Sequence, residues 1–200
     1  MLRELTDSNL EYLTRSLLIL SVVLNLTLGF VVHRQGIENG RLSEGLVQLK
    51  EDIHLGRGTL AGPISGVDAD GLSLVIDLQE GSKPTLLYSF SETCGWCQRN
   101  ARNIRFLAEE VSMTHQVIGL NLSAGPEGVR RVDDGELGFL SLSHLSEETI
   151  ENLRLGSTPQ TLVIGADGKV LENWTGAYSG SLEQKIEDYF RVTLPGLTDL

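Results

Sequence analysis

"SETCGWCQRN", residues 91–100, holds both cysteines of a 200-residue chain, three positions apart. Inert core thiols put no constraint on their spacing, so the pairing calls for a reason: a redox pair, half of a metal site, or chance. The flanking sequence supplies a setting. Upstream, Leu86–Phe90 is a short apolar run after Lys83-Pro84 that reads as a strand and leads straight into the motif. Downstream, residues 97–111 put Ala101, Ile104, Leu107, Ala108 and Val111 on one helical face. Cys94 therefore falls where a strand ends and a helix begins, with Cys97 one turn inside. A helix N-terminus presents unpaired N–H groups and the positive end of the dipole, and both favour a thiolate, the reactive form of cysteine. The three-residue spacing lets the second sulfur close a small disulfide on the first. Cys94 is thus the exposed nucleophile and Cys97 the sheltered resolver. Arg99 and Arg102 lie in the first turns, where cations oppose the dipole; one reading has either of them holding the Cys94 thiolate, the other and favoured one has them as a solvated face, since exposed charges contribute little.

Further out, strands and helices alternate. Leu72–Leu78 alternates like a strand after the Asp70-Gly71 turn, and Gln116–Leu122 is a buried-strand candidate. Ser146–Leu153 reads as a helix, with Ser146 as cap and Glu147 and Glu148 in its first turn. Thr161–Ile164 and Lys169–Thr175 are strands joined by Gly165-Ala166-Asp167-Gly168, a hairpin signal. Ser181–Phe190 is a closing helix in which Ser181 and Gln184 match a capping box and Leu182, Ile186, Tyr189 and Phe190 face the core. A βαβ unit followed by a hairpin and a helix implies a mixed α/β sheet covered on both faces.

The N-terminus has a different character. Ser16–Val32, SLLILSVVLNLTLGFVV, carries no charge. At about 1.5 Å per residue it reaches roughly 25 Å, near the minimum for a membrane helix. A cleaved signal peptide wants a small-residue cleavage site, which Phe30-Val31-Val32-His33-Arg34 does not provide, and a buried helix would show a polar face. The segment is therefore expected to be an uncleaved transmembrane anchor over residues 16–32, after a short tail of residues 1–15. Arg3 and Arg15 before the run are matched by Arg34, Arg41 and Lys50 after it, so the Lys/Arg bias does not set topology. The simpler arrangement has the short tail inside and the large domain outside, where the cysteines meet an oxidising compartment. Residues 33–58 are a connection. Leu42, Leu46, Leu49 and Ile53 form a helical stripe too short for a confident coiled coil, and Gly56 and Gly58 end it. The domain itself then spans residues 59–200.

Composition removes other classes. A net charge of −11 argues against a phosphate-binding surface, hence against nucleic acid. A structural zinc site needs four ligands, and here one Cys pair stands with His115 and His144 isolated. A two-coordinate copper(I) site stays open, because thiolates suit that metal.

On the stretches "AGPISGVDADGLSLVIDL", "KPTLLYSFSETCGWC" and "LGSTPQTLVIGADGKVLENWTG", residues 59–190 resemble the thioredoxin-like fold, and most nearly the membrane-anchored TlpA/ResA-type thiol–disulfide oxidoreductases. The resemblance implies a mixed sheet flanked by helices, with an inserted helix and strand near Pro126–Leu142. It implies a cis peptide at Thr158-Pro159 facing the dithiol, with the backbone of Thr158 pairing with the substrate peptide. A prolyl nitrogen offers the nearby sulfurs neither charge nor N–H. It further implies a Cys94/Cys97 dithiol–disulfide cycle with no organic cofactor or metal. Its partners would be a protein disulfide substrate and an upstream membrane electron donor. The catalytic domain would lie on the extracytoplasmic, periplasmic side. Gly95-Trp96 would set redox poise, with Trp96 as an apolar substrate contact. The motif lacks the histidine of strongly oxidising relatives, which points to a reductase. Two departures stand out. Tyr88 occupies the position of the buried Asp of a plain thioredoxin, and Glu92-Thr93 precedes the motif where an aromatic is usual. The group that handles the Cys97 proton is therefore open, with Glu92 one candidate. Two alternatives of other classes remain. One is a peroxiredoxin-like peroxidase, for which Ser91 fits the PxxxTxxC pattern but Leu87 stands in place of its proline. The other is a copper(I) carrier using the two thiols as ligands.

Overall fold

Side-chain alternation along one strand sets the layers of the domain. A computed structural model of the protein describes residues 17, 18, 20, 21, 24–36, 38, 55–123 and 137–199. In the strand that leads to the cysteines, Thr85–Phe90, every residue is buried. Successive side chains of a strand point to opposite faces. Leu86, Tyr88 and Phe90 accordingly enter one core with Cys97, Ile104, Leu107, Val111, Tyr178 and Ile186, while Leu87 enters a second with Ile64, Ile118, Leu120, Leu142, Leu162 and Ile164. The sheet is covered on both faces, and even the polar Thr85 and Ser89 on the Leu87 face are buried.

The elements run β1 (Ile64–Val67), β2 (Ser73–Ile76), β3 (Thr85–Phe90), α1 (Gly95–Val111), β4 (Gln116–Asn121), β5 (Leu140–Leu142), α2 (Glu147–Asn152), β6 (Gln160–Ile164), β7 (Val170–Thr175) and α3 (Ser181–Phe190). Five strands form the main sheet in the order β5-β4-β3-β6-β7. β3 pairs parallel with β4 through the α1 crossover and antiparallel with β6, with Ser89 opposite Gln160. β6 and β7 form the antiparallel hairpin expected from the Gly165–Gly168 signal. Gly168 takes φ +76° there, a conformation open to glycine at little cost. β1 and β2 make a separate antiparallel pair. α1 and α3 supply the core on the Tyr88 face; Leu153 and Leu155, just past α2, supply the other.

Several expectations change. β1 was not foreseen, because Gly66 leaves Ile64 as the one apolar side chain on its inner face. A Cβ at Gly66 would come within 2.9 Å of Leu145 and 3.0 Å of the Ser143 carbonyl, so that strand is pressed too close for a side chain. The packing also begins before residue 59: Leu55 is buried, its carbonyl accepts from Asn173 Nδ2 at 3.1 Å, and Arg57 pairs with Glu172. On α1 the buried stripe runs through Asn100 and Asn103, and Ala101 is only half-buried. The α2 cap is as expected, Ser146 Oγ accepting from the Thr149 N–H at 3.1 Å. The α3 capping box does not form. The N-cap is Gly180, so Ser181 is already inside the helix, where its hydroxyl cannot cap. Tyr189 is 37% exposed and sits edgewise on Trp174 and Phe190 at the surface, outside both cores.

The described N-terminal residues form a separate unit. All those between residues 17 and 38 are helical and exposed. Residues 16, 19, 22 and 23 of the expected anchor lie outside the described set, and among the described residues no helix is long and apolar enough to cross a membrane. The expected stripe over Leu42–Ile53 also lies outside that set. So does most of the expected insertion, of which β5 is present and pairs parallel with β4.

Candidate active site

β3 ends at Phe90, and a short loop delivers Cys94 as the N-cap of α1. The loop is held at both ends. The Glu92 N–H donates to Ser123 Oγ at 2.9 Å, and the Cys94 N–H donates to the Ser91 carbonyl at 3.1 Å. Cys94 has extended backbone, as an N-cap should, and its sulfur accepts the N–H of Cys97 at 3.1 Å. That hydrogen bond is the one a capping serine or aspartate would make, here made by the reactive atom itself. Cys94 and Cys97 form a disulfide with Cα atoms 5.2 Å apart, within the range such a bond spans. The two sulfurs are unequal in access: Cys97 is 7% exposed and packed in the Tyr88 core, while Cys94 is half-buried at the surface. Trp96, between them, is 54% exposed.

The sheet register brings Thr158-Pro159 to the same end. Because β3 and β6 are antiparallel, the start of β6 at Gln160 lies beside the end of β3 at Ser89, and Pro159 immediately precedes it. The Thr158-Pro159 peptide is cis. Ser89 Oγ donates to the Ser157 carbonyl at 3.3 Å, and the Gly176 N–H donates to the Pro159 carbonyl at 2.8 Å, which ties the loop between β3 and β7.

Beneath the disulfide lies a buried polar network that the sequence reading missed. Tyr88 points into the α1 face, and its hydroxyl accepts from Asn100 Nδ2 at 3.3 Å. Asn100 stands three residues past Cys97, hence one turn along the same helical face. Its Oδ1 accepts from the Tyr178 N–H at 3.0 Å and from Asn103 Nδ2 at 3.2 Å. Tyr178 in turn bonds hydroxyl to hydroxyl with Thr161 at 2.8 Å. Burial pushes the Tyr88 phenol up to about 12, opposed in part by the Asn100 bond, and pushes Tyr178 up as well. Where a carboxylate would titrate, a neutral tyrosine–asparagine pair holds its protons through the physiological range. A signal for Asn100 existed in the sequence: steps of three and four from Cys97 reach residue 100 as readily as 101.

Glu92 sits on the loop with its Oε1 buried and without a hydrogen-bond partner among the described residues. Arg99 departs from the expected solvated face: it is half-buried, and its guanidinium lies over the Trp96 ring, 4.8 Å from the centroid. Among the described residues no group of three or more His, Cys, Asp or Glu is arranged to hold a metal ion.

Fold and site together define a thioredoxin-like α/β domain carrying a disulfide at the N-terminus of its first domain helix. Solved structures with this fold include the thioredoxin domain of a thiol-disulfide oxidoreductase from Bacteroides vulgatus. It is similar at a TM-score of 0.55 and 15% identity, over 68% of this chain and 99% of that one. A thiol:disulfide interchange protein from a Bacteroides species is similar at 0.54 and 16%, over 68% of this chain and 91% of its own. A DsbF homologue from Corynebacterium diphtheriae is similar at 0.54 and 14%, over 69% and 89%. No protein-family model and no curated protein matches the chain.

Proposed function

We propose that the protein is a membrane-tethered thiol–disulfide oxidoreductase that reduces protein disulfides outside the cytoplasm. The observation that carries this reading is the Cys94–Cys97 disulfide at the α1 N-terminus, with one sulfur accessible and capped by a backbone N–H and the other enclosed. Two of the similar solved structures, a thiol-disulfide oxidoreductase and a thiol:disulfide interchange protein, point the same way.

In the reduced protein the Cys94 thiolate attacks one sulfur of a substrate disulfide. The new sulfur–sulfur bond joins Cys94 to the substrate, and the other substrate sulfur leaves as a thiolate. Cys97 then loses its proton and attacks Cys94 Sγ, expelling the second substrate thiolate. Two electrons have passed to the substrate, each released thiolate takes up a proton, and the protein is left with the Cys94–Cys97 bond. A donor of two electrons must reopen it, and for a tethered domain a membrane donor fits. Thr158 and Pro159, at the same end of the sheet, form the face against which a substrate segment would lie, with Trp96 as its apolar contact. The tether rests on residues 24–36, helical and exposed, with Leu24, Leu26, Leu28, Phe30, Val31 and Val32 bare to the surroundings. An oxidising compartment suits a chain whose two cysteines are paired.

The test uses the full chain, reduced, with a protein disulfide substrate. Stoichiometric appearance of two substrate thiols, lost in Cys94→Ser, supports the proposal. Peroxide consumption without disulfide reduction would favour a peroxidase. Tight copper(I) binding by an inactive dithiol would favour a carrier.

A further inference from the structure

Helix α1 carries its charges against its own dipole. Arg99 and Arg102 occupy its first half and Arg105 lies just past its middle, Glu109 and Glu110 lie near its end, no acid stands in the first turn and no base in the last. The acids in the last turn are unfavourable for helix stability and the cation nearest the start gains nothing from it, and in a chain of net charge −11 a cationic edge beside the dithiol is opposite to the average surface.

Of the three arginines, Arg99 is held in place. Thr198, from the segment that follows α3, returns to the start of α1. Its N–H and Oγ donate to the Arg99 carbonyl at 2.9 and 3.1 Å, and Arg99 Nε donates to the Thr198 carbonyl at 3.3 Å. The path of this segment is set upstream, where Leu194 is buried in the Tyr88 core and its N–H donates to Glu187 Oε1 at 2.8 Å. With Nε committed, the guanidinium lies on the Trp96 ring. That contact is of a cation over a ring and pairs none of the terminal amino groups with an acceptor. The terminal amino groups have no partner among the described residues, and a planar fork of N–H donors matches a carboxylate.

We propose that Arg99, stacked on Trp96 and tied to Thr198, is a docking point for a substrate carboxylate, an Asp or Glu side chain close to the substrate's bridged cysteine. The proposal rests on the oxidoreductase reading above. A segment that brings its disulfide to Cys94 passes over Trp96 and meets the free edge of Arg99. The contact is made before and during exchange alike, so it lowers KM and leaves kcat unchanged. Its size is that of a partly exposed ion pair, about two- to fivefold. The long-range field of an acidic protein has the opposite sign and would favour a basic substrate; salt near 0.15 M confines it to about 8 Å.

The experiment compares three disulfide-bonded peptides, identical except for Glu, Gln or Lys beside one cysteine, as substrates of the full-length reduced protein. The expected ranking of KM is Glu below Gln below Lys, with kcat equal and the spread narrowing as salt is raised. Arg99→Gln should collapse the Glu/Gln ratio to one. Thr198→Pro, which removes both donors to the Arg99 carbonyl but keeps the cation, should shrink it. Equal KM for all three peptides, or a preference for Lys, in the wild-type protein overturns the proposal and leaves the oxidoreductase reading intact; reduction of none overturns both. The wild-type ranking decides the matter even where a variant fails to fold.

Discussion

Asn100→Ala should be among the most destabilising single changes in the domain. Asn100 is fully buried and makes three hydrogen bonds: from Nδ2 to the Tyr88 hydroxyl, and through Oδ1 from the Tyr178 N–H and Asn103 Nδ2. Truncation leaves the buried Tyr178 N–H without an acceptor, which costs about 1–3 kcal/mol, and removes two further bonds worth about 1 kcal/mol each net. Asn103 Nδ2 keeps the Tyr178 carbonyl at 3.4 Å, which offsets part of its loss. Alanine recovers about 0.5 kcal/mol of helix propensity. The net is a loss of roughly 2–4 kcal/mol. Urea unfolding of the oxidised protein measures it, the disulfide being kept intact so that redox state does not enter. The midpoint should fall by about 1–3 M with an unchanged slope. A loss under about 1 kcal/mol would refute the claim that this network is closed around Asn100.

Three other outcomes follow from the geometry. The reduced Cys94 thiol should titrate below the free value of about 8.5, since the Cys97 N–H and the helix N-terminus favour its anion; its alkylation rate against pH should inflect accordingly, and an inflection at or above the free value contradicts the N-cap role. Tyr88 holds its proton up to about 12 in the folded state, against an ordinary value of 10.0. The unfolded chain therefore releases a proton first, and stability should be intact below pH 10 and fall as pH rises through that window, with Tyr88→Phe flattening the fall. The full-length protein should stay in the membrane fraction through carbonate washing, and its release would remove the tether.

How far the site was legible depends on sequence distance. The strand–Cys–helix junction is local: an apolar run, a motif and an amphipathic stretch lie within residues 86–111. It therefore reads directly, as do the Ser146 cap and the β6–β7 hairpin. The cis Thr158-Pro159 peptide came through family resemblance, since a Thr-Pro dipeptide alone is an ordinary loop signal. The Tyr88–Asn100–Tyr178 network was hidden. Its members come from β3, α1 and the segment before α3, and a buried asparagine breaks an apolar stripe without showing what it meets. Arg99 was misread for the same reason: its partner Thr198 lies 99 residues away, and nothing near Arg99 announces it. The α3 capping box failed at a single position, because a helix beginning at Ser181 takes its cap from Gly180.

The proposed chemistry depends on a division of labour between two sulfurs, which trapping of the mixed disulfide reports. Reduced Cys97→Ser and Cys94→Ser proteins are incubated with a disulfide substrate, quenched with acid and resolved without reductant. Cys97→Ser keeps the accessible nucleophile and lacks the resolver, so a mixed disulfide on Cys94 should accumulate and persist until reductant is added. Cys94→Ser should trap little, because its remaining thiol is enclosed. Equal trapping by both variants, or trapping by Cys94→Ser alone, would contradict the assignment.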